Sequence, residues 1–406
     1  MRPAPTAATT AAPRAATEAT RTTGSRDRAP GAAPRLRALD ALRLLAALTV
    51  VLMHFTTRDH GRWGVDVLPH ELFPGLSEVL RYGYVGMHLF FVLSGFVILM
   101  SAWGRSTGSF VASRISRLYP AFWVAVLLTA TLRWLWPTFE ARSVPEVLAN
   151  LTMFHEPFDV VHVDGVYWTL WVEMQFYLLM AVLVALGLTR RRVLVTATAL
   201  PLVGTALTLT MPGATETVTA LSWVSMFGAG MVMYLIYRDG HSVKLWALVA
   251  LNTAQGVLVA ALTQTDSIEA ISSGAEVSPL VLALAVLGVV AAVAVIAFVP
   301  AIRDLDWRWL TAVGTLTFPL YLTHEYVGWA LIEALHPVLG KWGTLAVAVG
   351  VCLGLAWLIH RFVEKRWHRR MRRWLEARLS PPRATPDLPA SDPPVARTSG
   401  SVGQSQ

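Results

Sequence analysis

The feature that most constrains this chain is the recurrence of apolar runs of about twenty residues, each long enough to cross a bilayer as one helix. Helices are the form such runs take there, because only intrahelical hydrogen bonds satisfy every peptide group away from water. The runs fall near residues 38–57, 82–102, 115–136, 166–187, 192–211, 218–237, 245–263, 279–300, 309–335 and 342–360. They describe an all-α integral membrane protein of about ten transmembrane helices. The 406 residues are 54% hydrophobic and 15% charged, with mean hydropathy +0.51, which excludes an ordinary water-soluble domain of this length.

Charge gives the runs an orientation. Arg35 and Arg37, Arg105 and Arg114, Arg190 to Arg192, Arg238 and Lys244, Arg303 and Arg308, and the run from Arg361 fall on alternate connections, whereas the loops at Glu140 to Asp164 and Thr265 to Ser278 are neutral or acidic. The positive-inside rule makes the basic side cytoplasmic and places both termini there. A net charge of +8 distributed this way reflects orientation and gives no reason to expect a nucleic-acid partner. One cysteine, Cys352, lies in a late apolar run, so neither an intrachain disulfide nor a cysteine-based metal site is open to the chain.

The organisation expected is a disordered cytoplasmic tail over residues 1–34, a transmembrane domain over 35–367, a basic amphipathic extension over 368–380 and a Pro-rich tail over 381–406. The apolar run at 39–55 is too long for a cleavable signal, and no small-residue cleavage site follows it. Trp367 and Trp374, seven residues apart on one helical face of the basic stretch, suit a helix lying on an anionic leaflet.

Ionisable residues inside apolar runs are the candidates for function, since each costs several kcal/mol unless it faces protein or a wet cavity. The first run holds two, Arg43 and His54. Eleven positions apart, they are rotated by about 1100° and displaced by about 16 Å, and so share one helix face. The alternative is that Arg43 snorkels to the headgroups while His54 caps the far end. Depth estimated from the topology also puts His88, Glu173 and His324 in the outer part of three other helices, where they could meet His54 in one polar cavity. A histidine held by a carboxylate is a usual general-base arrangement.

Arg114 and Arg117, one turn apart, open the third span at the level of Arg43. Guanidinium groups bind phosphates bidentately, although plain membrane anchoring also explains this pair. Gly83, Gly86, Ser94 and Gly95 read as close helix packing. His155, Glu156, Asp159, His162 and Asp164 are too irregularly spaced for a metal site; a solvated or acceptor-facing loop is the better reading, and no metal is expected.

In order along the chain, Arg43 with His54, GYVGMHLFFVLSGFVI, SRISRLYP, YWTLWVEMQFYLL, FPLYLTHEYV and FVEKRW resemble the signatures of the acyltransferase-3 family of integral membrane O-acyltransferases, from residue 36 to about 367. The resemblance implies transfer of an acyl group, commonly acetyl, from acyl-CoA to a hydroxyl of a sugar on a surface glycan or glycosylated natural product. It makes His54 the residue on which catalysis depends, Glu173 a further functional position, and Arg43, Arg114 and Arg117 the donor-binding residues. Where many members carry Asp after Gly-x in the second span this chain has His88, so either Glu173 or His324 helps to position His54 or His54 acts without a carboxylate, and His88 and His324 are read as acceptor-contacting or cavity-lining. The implied setting is the inner membrane, multi-pass, with acyl-CoA as a substrate and no tightly bound cofactor. The competing reading is a transporter or exporter that uses the buried His and Arg residues as a substrate or proton path.

Overall fold

The computed structural model describes residues 36–64, 66–211 and 215–379, the side chains of 215–220 and 222 excepted. Both termini and the tails read as disordered, 1–34 and 381–406, lie outside the described residues. Among the described residues every regular element is helical. The helices used below are α1 (Arg37–Thr56), α2 (Val85–Ala102), α3 (Thr107–Leu135), α4 (Trp168–Ala185), α5 (Arg190–Thr210), α6 (Thr215–Asp239), α7 (Val243–Val259), α8 (Pro279–Phe298), α9 (Thr317–Ile359) and α10 (Lys365–Leu379).

Eight segments are long and apolar enough to cross a membrane. One of them, Arg308–Leu379, is 72 residues long and is not one straight helix. Helix α9 breaks at Gly340, whose φ of 63° is a left-handed conformation that glycine adopts without a Cβ penalty. Across this break Cys352 Sγ comes within 3.8 Å of the His324 carbonyl oxygen, 28 residues away in sequence. A continuous helix would hold the two about 42 Å apart, so the two halves of α9 fold back as a hairpin. Helix α6, 25 residues long, adds one more element of crossing length, and the ten apolar runs are all accounted for among the described residues.

Small residues set how the first two helices meet. A Cβ on Gly83 would lie 2.9 Å from Met53 Cβ, and one on Gly86 would lie 2.8 Å from Val50 Cγ2. The contact moves down α1 as it moves up α2, so the two helices are antiparallel and their backbones are close. A large apolar cluster runs through α2, α3, α4 and α6, while Ala47, Val51 and Phe55 turn the other face of α1 toward Leu320, Trp329, Ala348 and Cys352 of the α9 hairpin. Helix α1 therefore stands between two cores, with its polar residues enclosed by protein. The thiol of Cys352 is fully buried within the second core, as packing requires.

One boundary differs from the sequence reading with a consequence for the site. The third helix begins at Thr107, where the Ser106 side chain caps it by accepting from Ser109 N–H at 3.3 Å. Arg114 and Arg117 thus lie about two and about three turns inside the helix instead of at its mouth.

Candidate active site

His54 and His324 meet on the inner faces of α1 and α9: His54 Nδ1 is 2.8 Å from His324 Nε2, and both side chains are buried. The proton positions follow from the partners. His324 Nδ1 lies 2.9 Å from the Tyr321 carbonyl oxygen and 3.2 Å from that of Leu320. Carbonyls only accept, so His324 Nδ1 carries the hydrogen and the Nε2 of its neutral ring is a lone pair. His54 Nδ1–H then donates to that lone pair, and His54 Nε2 is left unprotonated, the form a general base requires.

Carboxyl groups back this pair. Glu325, next to His324, places Oε2 4.0 Å from His54 Nδ1 and Oε1 3.3 Å from Arg58 Nη1. Asp164, at the start of the turn into α4, is also fully buried, and its Oδ2, like Glu325 Oε2, has no hydrogen-bond partner among the described residues. The Trp329 indole donates to the His54 carbonyl at 3.4 Å and lies under the Arg58 guanidinium. Glu325 and Arg58 were not singled out in the sequence reading, and Asp164 entered it only as an acid of the outer loop. The signal for Glu325 was present in THEYV, a carboxylate inside an apolar run.

The loop before α4 is built to deliver Asp164. Arg133, buried near the end of α3, donates to the carbonyls of Glu140 at 2.8 Å and Val163 at 2.7 Å. Asn150 accepts from Val163 N–H at 2.9 Å and donates to the Val161 carbonyl. His155 and Asp164 are consequently buried, while 157–159 and Val161 between them stay exposed, so the stretch read as solvated or acceptor-facing is solvated only in part. His155 Nε2 pairs with His162 Nδ1 at 2.7 Å, and burial pushes the His155 imidazole down to about 4. With Glu156 these two histidines hold ligand atoms within 4.8 Å of one another, so a cation would have to replace the proton they share.

The arginines belong to a second place. Arg43, Arg114 and Arg117 line a cavity of about 640 Å³ between α1, α2, α3, α4 and α9, a size in the range of small-ligand sites. It extends along α2 from Met87 to Ile98, about 16 Å of helix rise. Its walls are apolar toward Phe90, Phe91 and Leu170, and its mouth is cationic. Arg43 pairs with Asp40 at 3.3 Å; Arg114 lies over the rings of Phe110 and Tyr177, with its buried Nε unpartnered among the described residues. Glu173 also faces this cavity, accepting from Ser94 Oγ at 2.9 Å and Tyr177 OH at 2.8 Å. Ser94 is thus a polar ligand of Glu173 and not only a packing residue.

The expected meeting of three histidines and Glu173 in one cavity is only partly observed. His54 and His324 converge, Glu173 sits with the arginines, and His88 packs edge-on against Trp223 with ring centroids 4.9 Å apart. Neither ring nitrogen of His88 has a hydrogen-bond partner among the described residues. The rotation of separate helices about their own axes is set by packing, and it separates residues that the topology had grouped together. Tyr321 joins the two places: it lines the cavity, bonds Thr169 Oγ1 at 2.8 Å, and lies one turn before His324.

Fold and site together define a polytopic membrane protein in which an oriented imidazole stands beyond the end of a cationic cavity. The chain belongs to the acyltransferase-3 family, whose acyltransferase-domain model matches residues 36–361. It is also similar to acyltransferase MdmB of Streptomyces mycarofaciens, 28% identical over 152 residues, which cover 36% of this chain and 38% of that protein. No solved structure matches.

Proposed function

We propose that the protein is an O-acyltransferase that moves an acyl group, acetyl in the simplest case, from acyl-CoA to a hydroxyl of a sugar on a surface glycan or glycosylated natural product. The observation that carries this reading is the pairing of His54 Nδ1 with His324 Nε2, which leaves His54 Nε2 for the base, about 16 Å of helix rise beyond Arg43. That separation matches the reach of a pantetheine arm whose phosphates rest among Arg43, Arg114 and Arg117. Family membership supports the acyl-transfer chemistry, and the underpaired cations of the cavity support an anionic donor.

In the direct route His54 Nε2 takes the proton of the acceptor hydroxyl as its oxygen attacks the thioester carbonyl. The C–S bond breaks, and the imidazolium returns the proton to the departing thiolate. The nearby Glu325 carboxyl, 4.0 Å from His54 Nδ1, favours the transient positive charge, and Arg58 pairs with that carboxyl at 3.3 Å. In the alternative route His54 itself is acylated and then transfers the group. The arginine end would face the cytoplasm, as the charges of the connections require, in the inner membrane. Purified protein supplied with acetyl-CoA and candidate sugar acceptors should release free thiol and yield an acetyl ester. Binding of acetyl-CoA with no thiol release for any hydroxyl acceptor, together with vectorial substrate movement in liposomes, would support a transporter instead.

A further inference from the structure

The mouth of the cavity is completed by a segment to which the proposed mechanism gives no task. Beyond the α9 hairpin, His360–Glu364 forms a π-helical turn leading into α10. Helix α10 lies against α3, the helix that carries Arg114 and Arg117: His368 Nδ1 donates to the Ser116 carbonyl at 3.1 Å, and Ser109 Oγ donates to Glu376 at 3.2 Å. This docking brings Lys365 and Arg369, one turn apart on a single helix face, to the rim of the cavity. Neither has an ion-pair partner among the described residues. The carboxylate beside them, Glu364, is tied to His360 at 2.6 Å, which lowers its competition for these cations.

The cavity therefore has two cationic groups in series, the arginines of α1 and α3, of which Arg43 and Arg114 are half-buried and Arg117 is exposed, and an exposed Lys/Arg pair on α10. An acyl-CoA also carries two anionic groups in series beyond its thioester, a diphosphate and then a ribose phosphomonoester. We propose that Lys365 and Arg369 form the subsite for the 3′-phosphomonoester of the donor nucleotide, leaving the diphosphate to Arg43, Arg114 and Arg117. The inference rests on the acyl-CoA reading of the cavity. A phosphomonoester carries close to two negative charges near neutral pH and is strongly hydrated, so it suits the wet rim better than the buried interior. Lysine serves as a point charge and arginine as a fork toward the same group.

The test compares binding of CoA and 3′-dephospho-CoA to the full-length protein in neutral detergent by calorimetry. Wild type should bind CoA about tenfold more tightly, the effect of roughly one charge-assisted contact. In the doubly substituted Lys365→Ala, Arg369→Ala protein CoA should fall to the affinity of dephospho-CoA, which itself should be unchanged. A control removing equal charge from α10, Arg370→Ala with Arg373→Ala, should keep the preference and reports on whether α10 tolerates such changes. Equal loss for both ligands, or an intact preference in the Lys365/Arg369 variant, overturns the proposal. Weakened binding to anionic vesicles with the CoA preference intact would assign the pair to lipid headgroups. If wild type binds neither ligand, the acyl-CoA reading itself fails, an outcome distinct from all of these.

Discussion

The two ends of the polar interior are built on opposite plans. At the histidine end the imidazoles orient one another: His54 pairs with His324, His324 with two backbone carbonyls, and Glu325 with Arg58, while Glu325 Oε2 and Asp164 Oδ2 have no hydrogen-bond partner among the described residues. At the arginine end five Lys or Arg residues and two Glu residues line one open cavity, and the Arg114 Nε has no partner. Buried cations without full pairing are costly unless a ligand completes them. The contrast separates a reacting group whose orientation is fixed beforehand from a binding group that waits for an anion.

That contrast is broken most severely at His54. His54→Ala should lower acyl transfer by about 10³-fold, in the range for a lost general base, with membrane insertion and donor binding preserved. Activity within tenfold of wild type would remove His54 from the chemistry. His324→Ala should cost on the order of 10²-fold in kcat with little change in donor KM, because the base remains but its tautomer is no longer fixed. His324→Gln, whose amide oxygen can accept from His54 Nδ1–H, should recover part of the loss; equal damage from both variants would point to packing alone.

At the other end, Arg114→Ala should raise donor KM by about tenfold and leave kcat nearly unchanged, through loss of a charge-assisted contact. A fall in kcat at unchanged KM would move Arg114 out of the binding group. A smaller effect follows from acid. His155 is held at about 4, below its ordinary 6.5, so the unfolded loop binds its proton first. The stabilisation is complete above pH 6.5 and is lost as pH falls toward 4. Hydrogen exchange across 155–164, corrected for intrinsic rate, should quicken from pH 7 to pH 5, while the α10 region stays protected. Uniform protection at both values would contradict the sign. The smallest change belongs to His88→Phe, which should leave donor and acceptor KM within about twofold of wild type, since the ring meets Trp223 and lines neither end.

What was legible in the sequence was what depends on position along a single helix. The apolar runs gave the helices, and the spacing of Arg43 and His54 gave their common face and axial separation. The pairing of His54 with His324, 270 residues away, depends on how α1 and the α9 hairpin rotate against each other, which no local pattern encodes. Glu173 and His88 show the same limit from the other side: both were expected beside His54, and neither pairs with it, Glu173 lining the arginine cavity and His88 packing on Trp223. Asp164 was visible as a loop acid, but its burial follows from Arg133 and Asn150 gripping the loop backbone through contacts distant in sequence. Glu325 could have been found by the reasoning that singled out Arg43 and His54, since it too is a charge inside an apolar run.

The central claim is the protonation pattern of His54, and nitrogen NMR of the protein with ¹⁵N-labelled histidine reads it directly. Among the 11 histidines, the His54 ring is assigned as the signal missing from His54→Gln and shifted in His324→Gln. At pH 7.5 the account predicts a protonated Nδ1 and a pyridine-like, unprotonated Nε2, with the Nδ1 proton shifted by its bond to His324. A His54 ring protonated at Nε2, with a bare Nδ1, would contradict it, because the base would then face His324 and not the substrate.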